Sequence, residues 1–283
     1  MTELRYMIVG LPGSGKTTFL AAFWHLINAG EVTTQLELDK LVDDTEYLNT
    51  IVGAWQRCET VPRTSIASEK MSLAIHIRQS NTEQRAVLVF PDLSGESFTR
   101  QVTHRTCRQS YINACDVSGG LLLFVTADRV QDDLSVRDTA SMLEGDATSS
   151  GDDGHVVEWS PDFVPAQVCL VELLQFLQRP PFQRRRRRVV VLVSAWDVLP
   201  NPQPTPEEWV QRELPLLSQF LSANRESFDF RIYGVSAQGG NVRIGTAKQE
   251  LLQKTPSERI KCIGVHTDAH DLTGPVLWLM EEG

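Results

Sequence analysis

Residues Gly10 to Thr17 read Gly-Leu-Pro-Gly-Ser-Gly-Lys-Thr, the full pattern G-x-x-x-x-G-K-[ST], with Thr18 directly after it. These residue types at this spacing bind phosphate. Gly10, Gly13 and Gly15 let the backbone turn tightly, so that its amides point inward at phosphate oxygens. Pro12 and Ser14 complete the loop and belong to the candidate site with them. Lys16 is suited to reach the β- and γ-phosphates, and the Thr17 hydroxyl to ligate Mg²⁺. The bland alternative is a glycine-rich turn that merely joins a strand to a helix. Lysine and threonine both in place, between the right flanks, argue against it.

Two carboxylates further along suit the same chemistry. Val87 to Phe90 is an apolar run that reaches Asp92 through Pro91. A strand-end aspartate is where a water-mediated Mg²⁺ contact belongs; it can also cap the helix that follows. Val189 to Ser194 is a second apolar run, followed by Ala195, Trp196 and Asp197. A carboxylate at Asp197 can accept from both the N1 and N2 hydrogens of guanine, a pair of donors that adenine lacks.

Such residues work only if strands and helices bring them together. Leu4 to Val9 predicts a strand ahead of the loop. Thr17 to Ala29 predicts a helix behind it, with Phe19, Ala22, Phe23, Leu26 and Ile27 at helical spacing. Gln35 to Leu38 reads as a short extra strand, and Thr45 to Cys58 as a helix with Leu48, Ile51, Val52 and Trp55 on one face. Met71 to Arg78 alternates with period two and Ala86 to Phe90 is continuously apolar. The pair predicts an antiparallel hairpin on the edge of a parallel sheet. Helices are expected over Phe98 to Ala114, Pro165 to Leu177, Pro206 to Ala223 (Thr205 as N-cap) and Pro275 to Met280 (Thr273 as cap). Strands are expected over Gly120 to Thr126, Val189 to Ser194 and Phe228 to Val235. This alternation predicts an α/β fold with a mostly parallel sheet.

The chain has 283 residues, 41% of them apolar, and a formal charge of −9. No run approaches the ~20 apolar residues of a membrane span. A chain that enters a strand almost at once leaves no room for a signal peptide. The five cysteines form no C-x-x-C pair and read as reduced thiols, so a cytoplasmic protein without a membrane partner is expected. Overall acidity argues against general nucleic-acid binding. The charge is uneven. A polar, acidic insertion occupies about 128–160, and Arg184 to Arg188 is a run of five arginines. That run reads as a solvated loop or as a docking patch for an acidic partner, the insertion or nucleic acid. His266, Asp268, His270 and Asp271 crowd as H-x-D-x-H-D, a polar loop before a helix or a metal site.

In order and spacing, four segments resemble the motifs of translation-factor-related (TRAFAC) P-loop GTPases. They are the Gly10–Thr17 loop, Asp92 to Gly95 as D-x-x-G, Ser194 to Asp197 as a partial N-K-x-D, and Ser236-Ala237 as S-A-x. The resemblance runs from Met7 to Ala237 and is nearest to the bacterial double-GTPase type; Ala269 to Trp278 is similar to that group's C-terminal end. It implies a Ras-like three-layer P-loop sandwich, a mostly parallel sheet with one antiparallel edge strand, in a single domain over 1–283. It further implies GTP/GDP and Mg²⁺ as ligands, slow GTP hydrolysis, and a role in bacterial conflict or signalling with a protein effector or through self-association. Carried over by residue, Thr17, Thr64 and Asp92 hold the metal, with Thr60 as the fallback for Thr64. Gly95 meets the γ-phosphate. Lys16, Thr64 and Glu96 serve catalysis, Glu96 standing where Ras-like proteins carry a water-positioning glutamine. Trp196, Asp197, Ser236 and Ala237 hold the base; Trp196 either stacks on it or serves only as core. Arg63 is either a finger in cis or an ordinary loop arginine. The chain departs from the pattern at Ser194, where asparagine would tie the loops together, and at Ala195, where a lysine stem would pack on the base. An ATPase on the same loop, or an adaptor that binds nucleotide with negligible turnover, are the alternatives.

Overall fold

The computed structural model describes residues 4–40, 45–62, 73–82, 84–91, 95–128, 164–267 and 269–281. In chain order the first elements are β1 (Leu4–Gly10), α1 (Lys16–Ala29), β2 (Leu36–Lys40), α2 (Thr45–Gln56), β3 (Leu73–Gln79) and β4 (Arg85–Phe90). Next come α3 (Glu96–His104), α4 (Gln109–Val117), β5 (Gly120–Thr126), α5 (Ala166–Phe176) and β6 (Arg187–Ser194). A short 3₁₀ turn at Trp196–Val198 leads to α6 (Pro206–Glu213), α7 (Pro215–Ala223) and β7 (Phe228–Ser236). The chain closes with α8 (Gly245–Leu252), α9 (Pro256–Arg259), β8 (Lys261–Ile263) and α10 (Thr273–Met280).

One sheet runs in the order β2-β3-β4-β1-β5-β6-β7-β8. Strands β4, β1, β5, β6 and β7 are parallel neighbours. Their apolar runs are continuous because both faces are covered. Tyr6, Ile8, Leu122, Phe124, Val190 and Leu192 face one layer, built with α1, α2 and α10. Met7, Val9, Leu121, Leu123, Val189 and Val191 face the other, built with α3 to α7. The three-layer sandwich and the expected hairpin are both present: β3 pairs antiparallel with β4, Leu73 opposite Phe90. The extra strand β2 lies outside it, antiparallel to β3. At the other edge β8, too short for any sequence period to reveal, adds antiparallel to β7.

Two expected helices are each split in two. The span from Phe98 to Ala114 breaks after His104, where Arg105 takes a left-handed C-cap at φ 56. The span from Pro206 to Ala223 breaks at Leu214, φ −126 and ψ 56. Pro215 donates no backbone hydrogen bond and disfavours helical geometry in the residue before it. Thr205 does cap α6, in a reciprocal capping box with Glu208. Thr273 does not cap α10. It is fully buried inside the helix, and its N–H and hydroxyl both donate to the Asp271 carboxylate at 2.7 Å.

The arginine run is neither a solvated face nor a free patch. Arg187 opens β6 buried, donating to Leu177 O at 2.9 Å and Gln183 O at 3.1 Å; desolvation pulls its pKa below the usual range. Arg185 bonds the Cys115 and Ser118 carbonyls, and Arg188 the carbonyls of Trp278 and Glu281. Arg184 and Arg186 are exposed. Arg185, Arg187 and Arg188 thus supply donors to carbonyls that need them, Arg187 and Arg188 from opposite faces of the strand. No helix among the described residues is long and apolar enough to cross a membrane. The acidic insertion lies outside the described residues from 129 onward.

Candidate functional site

A cleft of about 290 Å³ opens at the carboxyl ends of β1, β5, β6 and β7, where open parallel sheets bind ligands. One end of it is the glycine-rich loop. Lys16 is only 3% exposed and folds back over that loop, its ammonium donating to Gly10 O at 2.8 Å and Leu11 O at 2.9 Å, with Ser14 Oγ at 3.4 Å. Gly15 caps α1 at φ 88, so the first amides of the helix are presented without a side chain in the way. Gly95, at φ 85, caps α3 against the same loop. A Cβ there would meet Lys16 Nζ at 2.6 Å and Gly10 O at 2.7 Å. The space beside the lysine is therefore walled by bare backbone, a cradle that only glycine leaves open. Gly13 and Thr18 line the cleft; Pro12 is exposed at the turn, and Thr17 is the second residue of α1.

The other end lies between the loops after β6 and β7. Asp197, Ala237, Gln238, Gly240, Asn241 and Arg243 line it. Ser236 is buried and donates its hydroxyl to Asp197 Oδ1, while accepting from Gly239 N at 3.0 Å. Asp197 is thus held in place by a partner that leaves its second oxygen available to a ligand. Ser194 does what its residue type did not suggest: its hydroxyl donates to Ser14 O at 2.9 Å and ties the β6 end to the phosphate loop. Of the two roles open to Trp196, stacking on the base or core, the structure places it in the core. It is 1% exposed, packs edge-on against Trp209, and occupies the room made by Gly234, which has no space for a Cβ. Its ring belongs to the core and forms no wall of the cleft.

A phosphate cradle and a guanine-suited carboxylate at two ends of one cleft, on a doubly covered parallel sheet, agree with what sequence comparison finds. The family model described as Double-GTPase 1 matches residues 7–279. The chain belongs to the Double-GTPase 1 family. It is a GTP-binding protein with the family and fold of a GTP hydrolase. No curated protein matches this double-GTPase in sequence. Among solved structures it is similar to bacterial selenocysteine-specific elongation factor EF-Sec, at 12% identity over 89% of this chain and 29% of that one, TM-score 0.39. It is also similar to the S. cerevisiae Ski7 GTPase-like domain bound to GTP, at 11% identity over 84% and 43%, TM-score 0.39. A third is the SRb-GTP/SRX complex from Chaetomium thermophilum, at 11% identity over 89% and 97%, TM-score 0.38. The double-GTPase therefore spans less than half the length of the first two chains.

Three of the expected site residues, Arg63, Thr64 and Asp92, lie outside the described residues of the double-GTPase. The fallback Thr60 lines the cleft, between Glu59 and Val61. Glu96 is the first residue of α3; its side chain is 41% exposed, with Arg100 at 3.7 Å. Of the H-x-D-x-H-D stretch, Asp268 lies outside the described residues; Asp271 anchors Thr273, and His270 Nδ1 lies 2.7 Å from Ile260 O. Among the described residues no cluster of three potential metal ligands forms. Sequence reasoning missed Thr126, Gln238, Asn241 and Arg243 as walls. Their signal was positional: each follows or ends a parallel strand at its carboxyl edge.

Proposed function

We propose that this double-GTPase is a Mg²⁺-dependent switch that binds GTP and GDP and hydrolyses GTP slowly by itself. It signals the γ-phosphate to a protein effector or a second copy of itself, within a bacterial conflict or signalling system. The observation that carries the reading is Gly95 seated on Lys16 and Gly10 O, which joins the start of α3 to the place where a γ-phosphate would bind. Lys16 supplies charge to the β- and γ-phosphates, and the loop amides supply donors. Mg²⁺, held by Thr17 with Thr64 and Asp92, would neutralise charge on the phosphate oxygens. Gly95 donates its amide to the γ-phosphate, and loss of that phosphate releases the start of α3. Asp197 reads the guanine N1 and N2 hydrogens, with Ser236 fixing its orientation.

Glu96 orients the attacking water from the first turn of α3. Its side chain is 41% exposed, with Arg100 at 3.7 Å, and a partner that completes the site would raise turnover. Glu96→Ala lowers single-turnover GTP hydrolysis by about tenfold or more while GDP affinity stays essentially constant. Hydrolysis at the unaltered rate would reduce Glu96 to an acid at a helix N-terminus, and unmeasurable hydrolysis in both proteins would favour the adaptor reading.

A further inference from the structure

Trp55 is fully buried at the end of α2 and lines no part of the cleft. Its indole N–H nevertheless donates to Ala237 O at 2.9 Å, across 182 residues of chain. The bond is returned. Gln238 Nε2 donates to Trp55 O at 3.2 Å and reaches Cys58 Sγ at 3.5 Å. Arg259 closes the cluster, donating to Gln56 O at 2.9 Å and to Cys58 Sγ at 3.0 Å. The carbonyls of Trp55 and Gln56 belong to the last turn of a helix, past the reach of its regular ladder; Trp55 O accepts from Cys58 N at 3.0 Å. The loop after β7 adds a second donor to Trp55 O, and α9 supplies one to Gln56 O. Gly239, at φ 90, passes so close to Arg259 O that no Cβ fits. Residues 236 to 239 are thus held from two sides, by Asp197 through Ser236 and by α2 through Trp55.

We propose that Trp55 is a positioning residue for reading the 6-position of the purine. The inference rests on the guanine reading of the cleft. The Ala237–Gln238 peptide is trans, so its carbonyl and the Gln238 N–H point in opposite directions. Fixing the carbonyl on the indole fixes the amide edge that the base meets. Guanine presents an acceptor at that position, O6, and adenine a donor. A rigid amide rewards the first and rejects the second, and it does so without paying to order the loop at binding. The same helix end runs directly into Glu59, Thr60 and Val61, which also line the cleft.

The test is Trp55→Phe, with affinities for GDP, ADP and 6-thio-GDP measured by displacement of a fluorescent guanine nucleotide, and melting recorded without nucleotide. 6-Thio-GDP keeps both donors that meet Asp197 and exchanges O6 for a weak acceptor. GDP binding falls about five- to tenfold, as expected when a loop the indole had fixed must instead be ordered at binding. Binding of 6-thio-GDP changes little, so the preference for GDP over it shrinks. Equal losses for both ligands, or none, would overturn the proposal. Benzothienylalanine incorporated at position 55 keeps the bicyclic shape without the N–H, and it decides the matter if the phenylalanine variant does not fold. Wild-type protein that binds GDP no better than ADP would instead overturn the guanine reading itself, and this inference with it.

Discussion

Lys16→Ala abolishes the rise in melting temperature that GDP with Mg²⁺ produces in the unaltered protein. A ligand at a hundred times its dissociation constant stabilises the folded state by ~2.7 kcal/mol. For a chain of this size that corresponds to a rise of roughly 5–10 °C. Lys16 is the cation at the phosphate end of the cleft, held over the loop by Gly10 O and Leu11 O. Hydrogen bonds to charged groups contribute about 1.5–3 kcal/mol each, so losing its contacts with two phosphates costs affinity about 100-fold or more. The fold itself tolerates the change. The ammonium is desolvated where it stands, and relief of that cost offsets the loss of its bonds to Gly10 O, at the buried end of β1, and to Leu11 O. Scanning calorimetry checks both parts: the melting temperature without nucleotide stays close to that of the unaltered protein, and the shift with GDP disappears. A mutant that keeps the shift would remove the loop from the nucleotide site.

Asp197→Asn has the second large effect, and it changes which base is bound as well as how tightly. Ser236 donates to one carboxylate oxygen in the unaltered protein, and the asparagine carbonyl can still accept that bond. The neighbourhood therefore keeps its shape. What is lost is the acceptor for one of the two guanine donors, replaced by an amide N–H that opposes it. GDP affinity falls about 100-fold, the scale of a charged hydrogen bond lost together with a donor left facing a donor. Xanthine carries an acceptor at its 2-position, so XDP gains where GDP loses. Competition titrations of GDP and XDP against the mutant check the exchange; retained GDP affinity would take Asp197 out of the base site.

The glycine-rich loop is legible in sequence because its pattern is one contiguous stretch, and glycine alone lets a backbone turn that tightly. The strands are legible for a related reason: burial on both faces makes β1, β5 and β6 unbroken apolar runs. What escapes is whatever depends on distant partners. Ser194 reads as a missing asparagine until the structure brings Ser14 O to its hydroxyl. Trp196 reads either as a stacking surface or as core; only the room left by Gly234 on the next strand shows that the ring turns inward. The arginine run reads as solvated charge because the carbonyl partners of Arg185 and Arg188 lie on the approach to β5 and on α10, remote in sequence. Trp55 reads as one apolar residue on a helix face, and its bond to Ala237 has no sequence signal at all.

The central claim, that this cleft reads guanine, is tested most directly by displacing a fluorescent guanine nucleotide from the unaltered protein with GDP and with ADP in the presence of Mg²⁺. Phosphates and ribose are the same in both competitors, so any difference between them reports the base. The account predicts that GDP displaces the probe at concentrations at least about 100-fold below those needed for ADP, as expected when two buried donors find a carboxylate in one ligand and nothing in the other. Equal displacement, or better displacement by ADP, would contradict it.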